Sequence, residues 1–204
     1  MKTQTKDIQV NQTPKDALKI LKDGNSRFIR NQKASRNLQD QVVETSAGQF
    51  PFAAVLSCID SRVPVEHIFD LGIGDIFSAR VAGNIINDDI LGSLEYSCKV
   101  AGSKILIVLG HTKCGAVTAA CKNVELGNIT TLLNKIKPAV DGVKSKNEVY
   151  NDDEIEEVSL LNIQLSIDRI RKESPILLEM EKNNEIEIVG ALYHVSNGRV
   201  EFFE

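Results

Sequence analysis

The chain has 204 residues, 42% of them hydrophobic, which is enough to bury the core of one domain rather than two. Its formal net charge is -4, with 24 Lys and Arg mixed among 28 Asp and Glu; this leaves no basic stripe, argues against a nucleic-acid partner and favours a small solute. No apolar run reaches the eighteen or so residues of a membrane span, and Met1-Lys-Thr-Gln-Thr-Lys-Asp-Ile8 lacks the apolar stretch of a signal peptide, so a chain that had no signal removed is expected to be cytoplasmic.

The first predicted helix starts at Thr13-Pro14, the hydroxyl capping it and the proline occupying the first helical position. Its apolar stripe runs through Ala17, Leu18, Leu21 and Phe28, and residues 31–48 then read as a polar surface connection. Phe52 to Ser57 predicts a strand, a short helix follows from about Pro64, and Ile76 to Val81 predicts a second strand ending in Ala82-Gly83-Asn84. Asn87-Asp88-Asp89 caps a helix that carries Tyr96 and Cys98 and closes at Gly102; Lys104 to Leu109 is the third strand, and Cys114 to Cys121 opens the next helix. Ile129 to Val143 reads as one helix with Pro138 in its last turns. Ser145 to Glu157 reads as an acidic connection into a helix holding Leu160, Leu161, Ile163, Ile167 and Ile170, which Ser174-Pro175 stops. Ile186 to Tyr193 is a further strand, and Asn197-Gly198 is a hairpin signal ahead of Val200-Glu-Phe-Phe203.

Apolar strands alternating with helices predict an α/β fold in a single domain over residues 1–204. A helical arm at 1–48 precedes a core at 49–204, whose mostly parallel central sheet is flanked by helices and carries an antiparallel C-terminal edge strand. In such a sheet the ligand crevice lies beyond the carboxyl ends of the strands, where strand order reverses.

Two segments place chemistry there. Cys58-Ile-Asp60-Ser-Arg62 ends the first strand, and His111-Thr-Lys-Cys114 follows the third. If those strands are neighbours, two thiols and an imidazole converge, a set that suits zinc and leaves a fourth position open. Four cysteines in a chain of this length do not make a disulfide framework, and Cys98 and Cys121 read as small apolar residues packed on helices. Alone, either segment is more often a buried thiol or a surface histidine; together, both at strand ends, they predict a metal site.

The paired segments, with Gly115 after Cys114, resemble the β-class carbonic anhydrases, and the similarity runs from the N-terminal helix to Gly190-Ala-Leu-Tyr193. The resemblance implies a zinc lyase, carbonate dehydratase, with one zinc per subunit, hydrating carbon dioxide reversibly to bicarbonate by way of a zinc-bound hydroxide. It implies Cys58, His111 and Cys114 as ligands, Asp60 and Arg62 as the catalytic carboxylate and guanidinium, and a homodimer or homotetramer. Two thiolates and an imidazole cancel the charge of zinc and acidify its water less than three histidines do, so the second shell has to help. Arg62 can hold Asp60 ionised and off the metal while Asp60 orients the hydroxide.

Within that family a tryptophan three residues before the first cysteine marks an enzyme type that closes at low pH; here Val55 stands there and the chain has no tryptophan. The open type carries a glutamine nine residues before that cysteine, and here this is Gln49. Phe77 and Tyr96 match positions lining the family's substrate pocket and, with Gln49, are expected to reach the partner subunit's zinc, while Gly115 offers a backbone amide to an oxyanion or serves a tight turn. Ala82, in Arg80-Val-Ala-Gly-Asn84, stands where the family often has valine. His67 and His194 are the remaining histidines, and neither sits in a motif that aims it at the site. Carbon disulfide or carbonyl sulfide hydrolysis on the same ligands is the nearest alternative. A structural-zinc or thiol-redox protein, closed by Asp60 as fourth ligand, is the other.

Overall fold

The computed structural model describes residues 3–143, 145 and 149–203. Five strands form one sheet in the order β2-β1-β3-β4-β5, with β1 (Ala53–Ser57), β2 (Ile76–Arg80), β3 (Ile105–His111) and β4 (Glu187–Tyr193) parallel and β5 (Val200–Phe203) antiparallel to β4. The chain runs from β1 to β2 on one side and returns to β3 on the other, so the switch point falls between β1 and β3.

Every residue of β1 and β3 is buried because helices cover both faces. Ala53, Val55, Ile105, Ile107 and Leu109 point to one side and pack with Ala17 and Leu21 of α2 (Pro14–Ile29) and with Ile68 and Phe69 around α4 (Val65–Ile68). Ala54, Leu56, Leu106 and Val108 point to the other, against Leu94 of α5 (Asp88–Glu95), Ile163, Ile167 and Ile170 of α9 (Asp152–Glu173), and Leu177 of α10 (Pro175–Lys182). A third cluster caps the carboxyl ends of the strands, where Cys58 and Cys114 join Val117 of α6 (Gly115–Cys121), Val140 of α8 (Lys137–Gly142), and Ile136 and Val158.

Helices at the N-terminus depart from the expectation. α1 (Lys6–Asn11) precedes the predicted first helix, and α3 (Leu38–Thr45) lies inside the stretch read as connection. Asn37 caps α3, and its anchor is polar: buried Gln41 accepts the Ile73 N–H at 3.1 Å. The chain before α3 is tied down by Asp70, 4% exposed, which receives Arg27 Nε and Arg36 Nη1 at 2.6 Å each and the Ala34 N–H at 3.0 Å.

The single helix expected over 129–143 is two, α7 (Gly127–Leu133) and α8, and Pro138 stands at the start of α8, where its missing N–H costs nothing. The connection expected over 145–157 ends early: Asn151 and Glu154 form a reciprocal capping box and α9 begins at Asp152. Residues 144 and 146–148 of that stretch lie outside the described residues. Ser174 does stop α9, yet its hydroxyl caps α10 directly, a helix the sequence reading left out. The helix carrying Tyr96 ends in a wider turn over Tyr96–Val100, closed at Gly102 with φ of 84°. The hairpin joins β4 to β5 as read, with Gly198 at φ 79°.

Candidate metal centre

Cys58 directly follows β1, and His111 is the last residue of β3 rather than the residue after it. Lys113 then takes a left-handed conformation, φ 55°, and turns the chain so that Cys114 sits at the N-cap of α6. Adjacent parallel strands therefore bring Cys58, His111 and Cys114 together, their ligand atoms all within 4.8 Å of one another. All three are buried, at 4%, 1% and 1% exposure.

The donor set fits zinc. Tetrahedral ligation at Zn–S distances of about 2.3 Å separates two thiolates by about 3.8 Å, and Cys58 Sγ lies 4.0 Å from Cys114 Sγ. His111 Nδ1 is 3.0 Å from the Thr112 carbonyl, which can only accept, so Nδ1 carries the proton and Nε2 keeps a free lone pair. That Nε2 is buried without a hydrogen-bond partner, a costly arrangement for an imidazole unless an ion takes the lone pair. The thiols also differ. Cys58 is held well below the usual thiol range, first by its bond with Cys114 and then by the Gly83 N–H; Cys114 is pushed up by that bond and by burial.

Asp60 stands beside this cluster without joining it. Arg62 takes both carboxylate oxygens, Nε to Oδ1 at 2.9 Å and Nη2 to Oδ2 at 2.7 Å, and its backbone N–H adds a third bond to Oδ1 at 2.9 Å. These bonds hold the Asp60 carboxyl down to about 2. Oδ2 is 3.9 Å from His111 Nε2. The four-ligand shell of a structural site is not formed, since Asp60 is bound to Arg62 instead.

Two supports were not singled out from the sequence. Arg80 spans the turn after β1, donating to the Cys58 carbonyl at 3.1 Å and the Asp60 carbonyl at 2.7 Å. Gly83, at φ 68°, aims its N–H at Cys58 Sγ, 3.3 Å away. Their signal was the Arg80-Val-Ala-Gly-Asn84 run, which reads as a strand end and as a departure from the family pattern at Ala82.

Phe77 and Tyr96 are not gathered around the ligands of this chain. Phe77 and Tyr96 meet edge to face, centroids 6.1 Å apart, and line a groove of about 690 Å³ with Ala54, Ala79 and Ser93 that none of the three ligands lines. Tyr96 is 52% exposed, and Gln49 is exposed too. Gly115 opens α6 with ordinary φ, and a Cβ there would meet open space; the tight turn once weighed for it is made by Lys113. His67 is exposed on α4, and His194 lies 3.5 Å from Glu201. Cys98 and Cys121 are buried outside the cluster, consistent with packing.

A family described as carbonic anhydrase matches residues 53–200. Carbonic anhydrase 2 of Mycobacterium tuberculosis is 34% identical over 201 residues, covering 93% of this chain and 92% of that protein. A tetrameric β-carbonic anhydrase of the ascomycete Sordaria macrospora shares the fold, with a TM-score of 0.70 at 20% identity over 81% of this chain and 90% of its own. A carbon disulfide hydrolase of Acidithiobacillus thiooxidans is 32% identical over a shorter stretch, 77 residues, covering 35% of this chain and 36% of that protein.

Proposed function

This chain belongs to the β-class carbonic anhydrases, and we propose that it interconverts carbon dioxide and bicarbonate at a zinc ion held by Cys58, His111 and Cys114. The observation that carries the reading is the unpartnered His111 Nε2 facing two sulfurs 4.0 Å apart, with a carboxylate close by but bound elsewhere. Zinc, when bound there, supplies a nucleophile near neutral pH by lowering the pKa of water.

The protein's own groups supply the rest. Asp60 cannot turn inward as a fourth ligand without giving up its three bonds from Arg62, so one position stays open for water and substrate. A carboxylate oxygen has more than one lone pair, and Oδ2 can still accept from the nucleophile and fix its orientation toward the carbon of carbon dioxide. Because Arg62 keeps Asp60 ionised far below neutrality, Asp60 plays this part across the working range. The proton released with bicarbonate passes to solvent, as neither His67 nor His194 hydrogen-bonds to the three ligands among the described residues.

Gln49, Phe77, Tyr96 and the Gly115 amide are assigned to the substrate, the first three acting on the partner subunit's site in a homodimer or a larger assembly of dimers. The exposure of Gln49 and Tyr96, and a groove lined by Phe77 and Tyr96 but by none of the three ligands, support this. Stopped-flow carbon dioxide hydration by wild type and Cys114→Ser, with zinc measured on both, tests the assignment. Zinc and activity are expected to vanish together, and full activity without zinc sinks it. The short match to a carbon disulfide hydrolase gives the second reading, which a carbon disulfide assay favours only if hydration of carbon dioxide is absent.

A further inference from the structure

α9 presents a polar face to the loop that follows β2. Asn162, Ser166 and Arg169, at helical spacings of four and then three, donate in turn to the carbonyls of Gly83 at 2.9 Å, Asn84 at 3.3 Å and Ile86 at 3.1 Å. Asn162 and Ser166 are each 4% exposed and interleave with Ile163, Ile167 and Ile170, which serve the core. Buried polar side chains on a core face cost stability unless each finds a partner, and here the partners are the three loop carbonyls.

The loop carries an N–H donor to the Cys58 sulfur from outside that ligand's own turn, the Gly83 amide at 3.3 Å. Gly83 is required where it stands. Its φ is 68°, and a Cβ would meet Ile136 Cδ1 at 2.6 Å. Glycine is also the residue whose backbone is least self-determined, and the turn around it is closed locally by the Asn84 N–H, which donates to the Val81 carbonyl at 3.0 Å. Arg80 fixes the Cys58 side of the contact through the Cys58 carbonyl. On the Gly83 side, Asn162 holds the next peptide plane by its carbonyl.

We propose that Asn162, seconded by Ser166, is a positioning residue for the metal centre: by holding the Gly83 carbonyl, in the peptide that follows the Gly83 N–H, it steadies the turn in which that N–H donates to the Cys58 sulfur and limits how much charge the thiolate gives to a bound metal. Two thiolates and an imidazole cancel a divalent charge, so a hydrogen bond that draws density from one sulfur restores part of the metal's electron-withdrawing strength. Outer-shell partners of metal ligands typically govern affinity or activity by 10- to 100-fold. The inference rests on the zinc reading, and the test separates the two.

The protein is prepared with cobalt in place of zinc, as wild type, Asn162→Ala, Ser166→Ala and Ser159→Ala. Ser159 is a buried α9 residue that bonds only within its helix, to the Ile155 carbonyl, and serves as the control. Each variant is checked by thermal melting, and the sulfur-to-cobalt charge-transfer band is recorded. In Asn162→Ala the band is expected to move to lower energy, because a sulfur relieved of its hydrogen bond donates more charge; Ser166→Ala moves it in the same direction by less, and Ser159→Ala does not move it. A folded Asn162→Ala with the wild-type band overturns the inference, and so does a Ser159→Ala shift of equal size. If Asn162→Ala does not fold, Ser166→Ala decides, and an unchanged band in it overturns the proposal. Wild type that binds no cobalt through sulfur would overturn the metal reading itself.

Discussion

Asp60 and Arg62 are two positions apart, and their pairing engages the carboxylate away from the three candidate ligands. The fork geometry matters more than the charge, because Nε and Nη2 each take a different carboxylate oxygen. Arg62→Ala is therefore expected to retain zinc, measured by atomic absorption, while kcat/KM for carbon dioxide falls about 10- to 100-fold. Arg62→Lys, which keeps the charge and loses the fork, is expected to recover little of it. Normal kinetics in Arg62→Ala would show that Asp60 holds its place unaided. The three ligands were legible as residues because each ends or follows an apolar run, and apolar runs of that length are strands. Arg80 and Gly83 were not, since their work is done on backbone atoms and through a conformation that a one-letter pattern does not display.

Among elements, strands and long helices followed the apolar pattern, and the departures have identifiable causes. α3 has no strong apolar stripe; its hold on the body comes from buried Gln41 and the Asp70 cluster, polar contacts that hydropathy reads as solvent. Pro138 and Pro175 each follow a possible helix end, and in this protein each also begins a helix. Two outcomes belong at this scale. Burial pushes the Asp70 carboxyl up, but bonds from Arg27, the Ala34 N–H and Arg36 outweigh it, and the folded value lies below the ordinary 3.8. The stabilisation is accordingly complete above about pH 4 and is lost as pH falls through the depressed folded value. Asp70→Asn leaves buried Arg36 facing an uncharged partner and is expected to cost about 3 kcal/mol in urea unfolding at pH 7, with the difference from wild type narrowing below pH 4. A gap that stays constant into acid contradicts the ionic account. In α2, Gly24→Ala would normally gain about 1 kcal/mol of helix propensity. Here the new Cβ would lie 1.9 Å from the Phe69 carbonyl oxygen, so the melting temperature is expected to fall, and a rise would mean that α2 can lift from Phe69 at little cost.

At the scale of the whole molecule, the three candidate ligands come from one chain, and Phe77 and Tyr96 line a groove that none of them lines. β2 is an unpaired edge of the sheet with a half-exposed strand pattern, and Ile59, Tyr96, Leu38, Val42, Val43 and Ile73 are all exposed apolar residues. If Gln49 serves a partner's centre, mixed dimers reveal it. Gln49→Ala impairs the substrate contact but not the ligands, and Cys114→Ser removes a ligand but keeps Gln49. In a mixed dimer of the two variants, the site whose three ligands come from the Gln49→Ala chain would receive an intact glutamine from the Cys114→Ser chain, and the other site would lack both. Differently tagged chains, co-expressed and purified by both tags, are expected to show about half the wild-type activity per dimer, well above either parent, because a two-fold assembly contains two equivalent sites and one is rebuilt. If Gln49 acts on its own chain's metal instead, the mixed dimer contains no complete site and its rate does not exceed half that of Gln49→Ala.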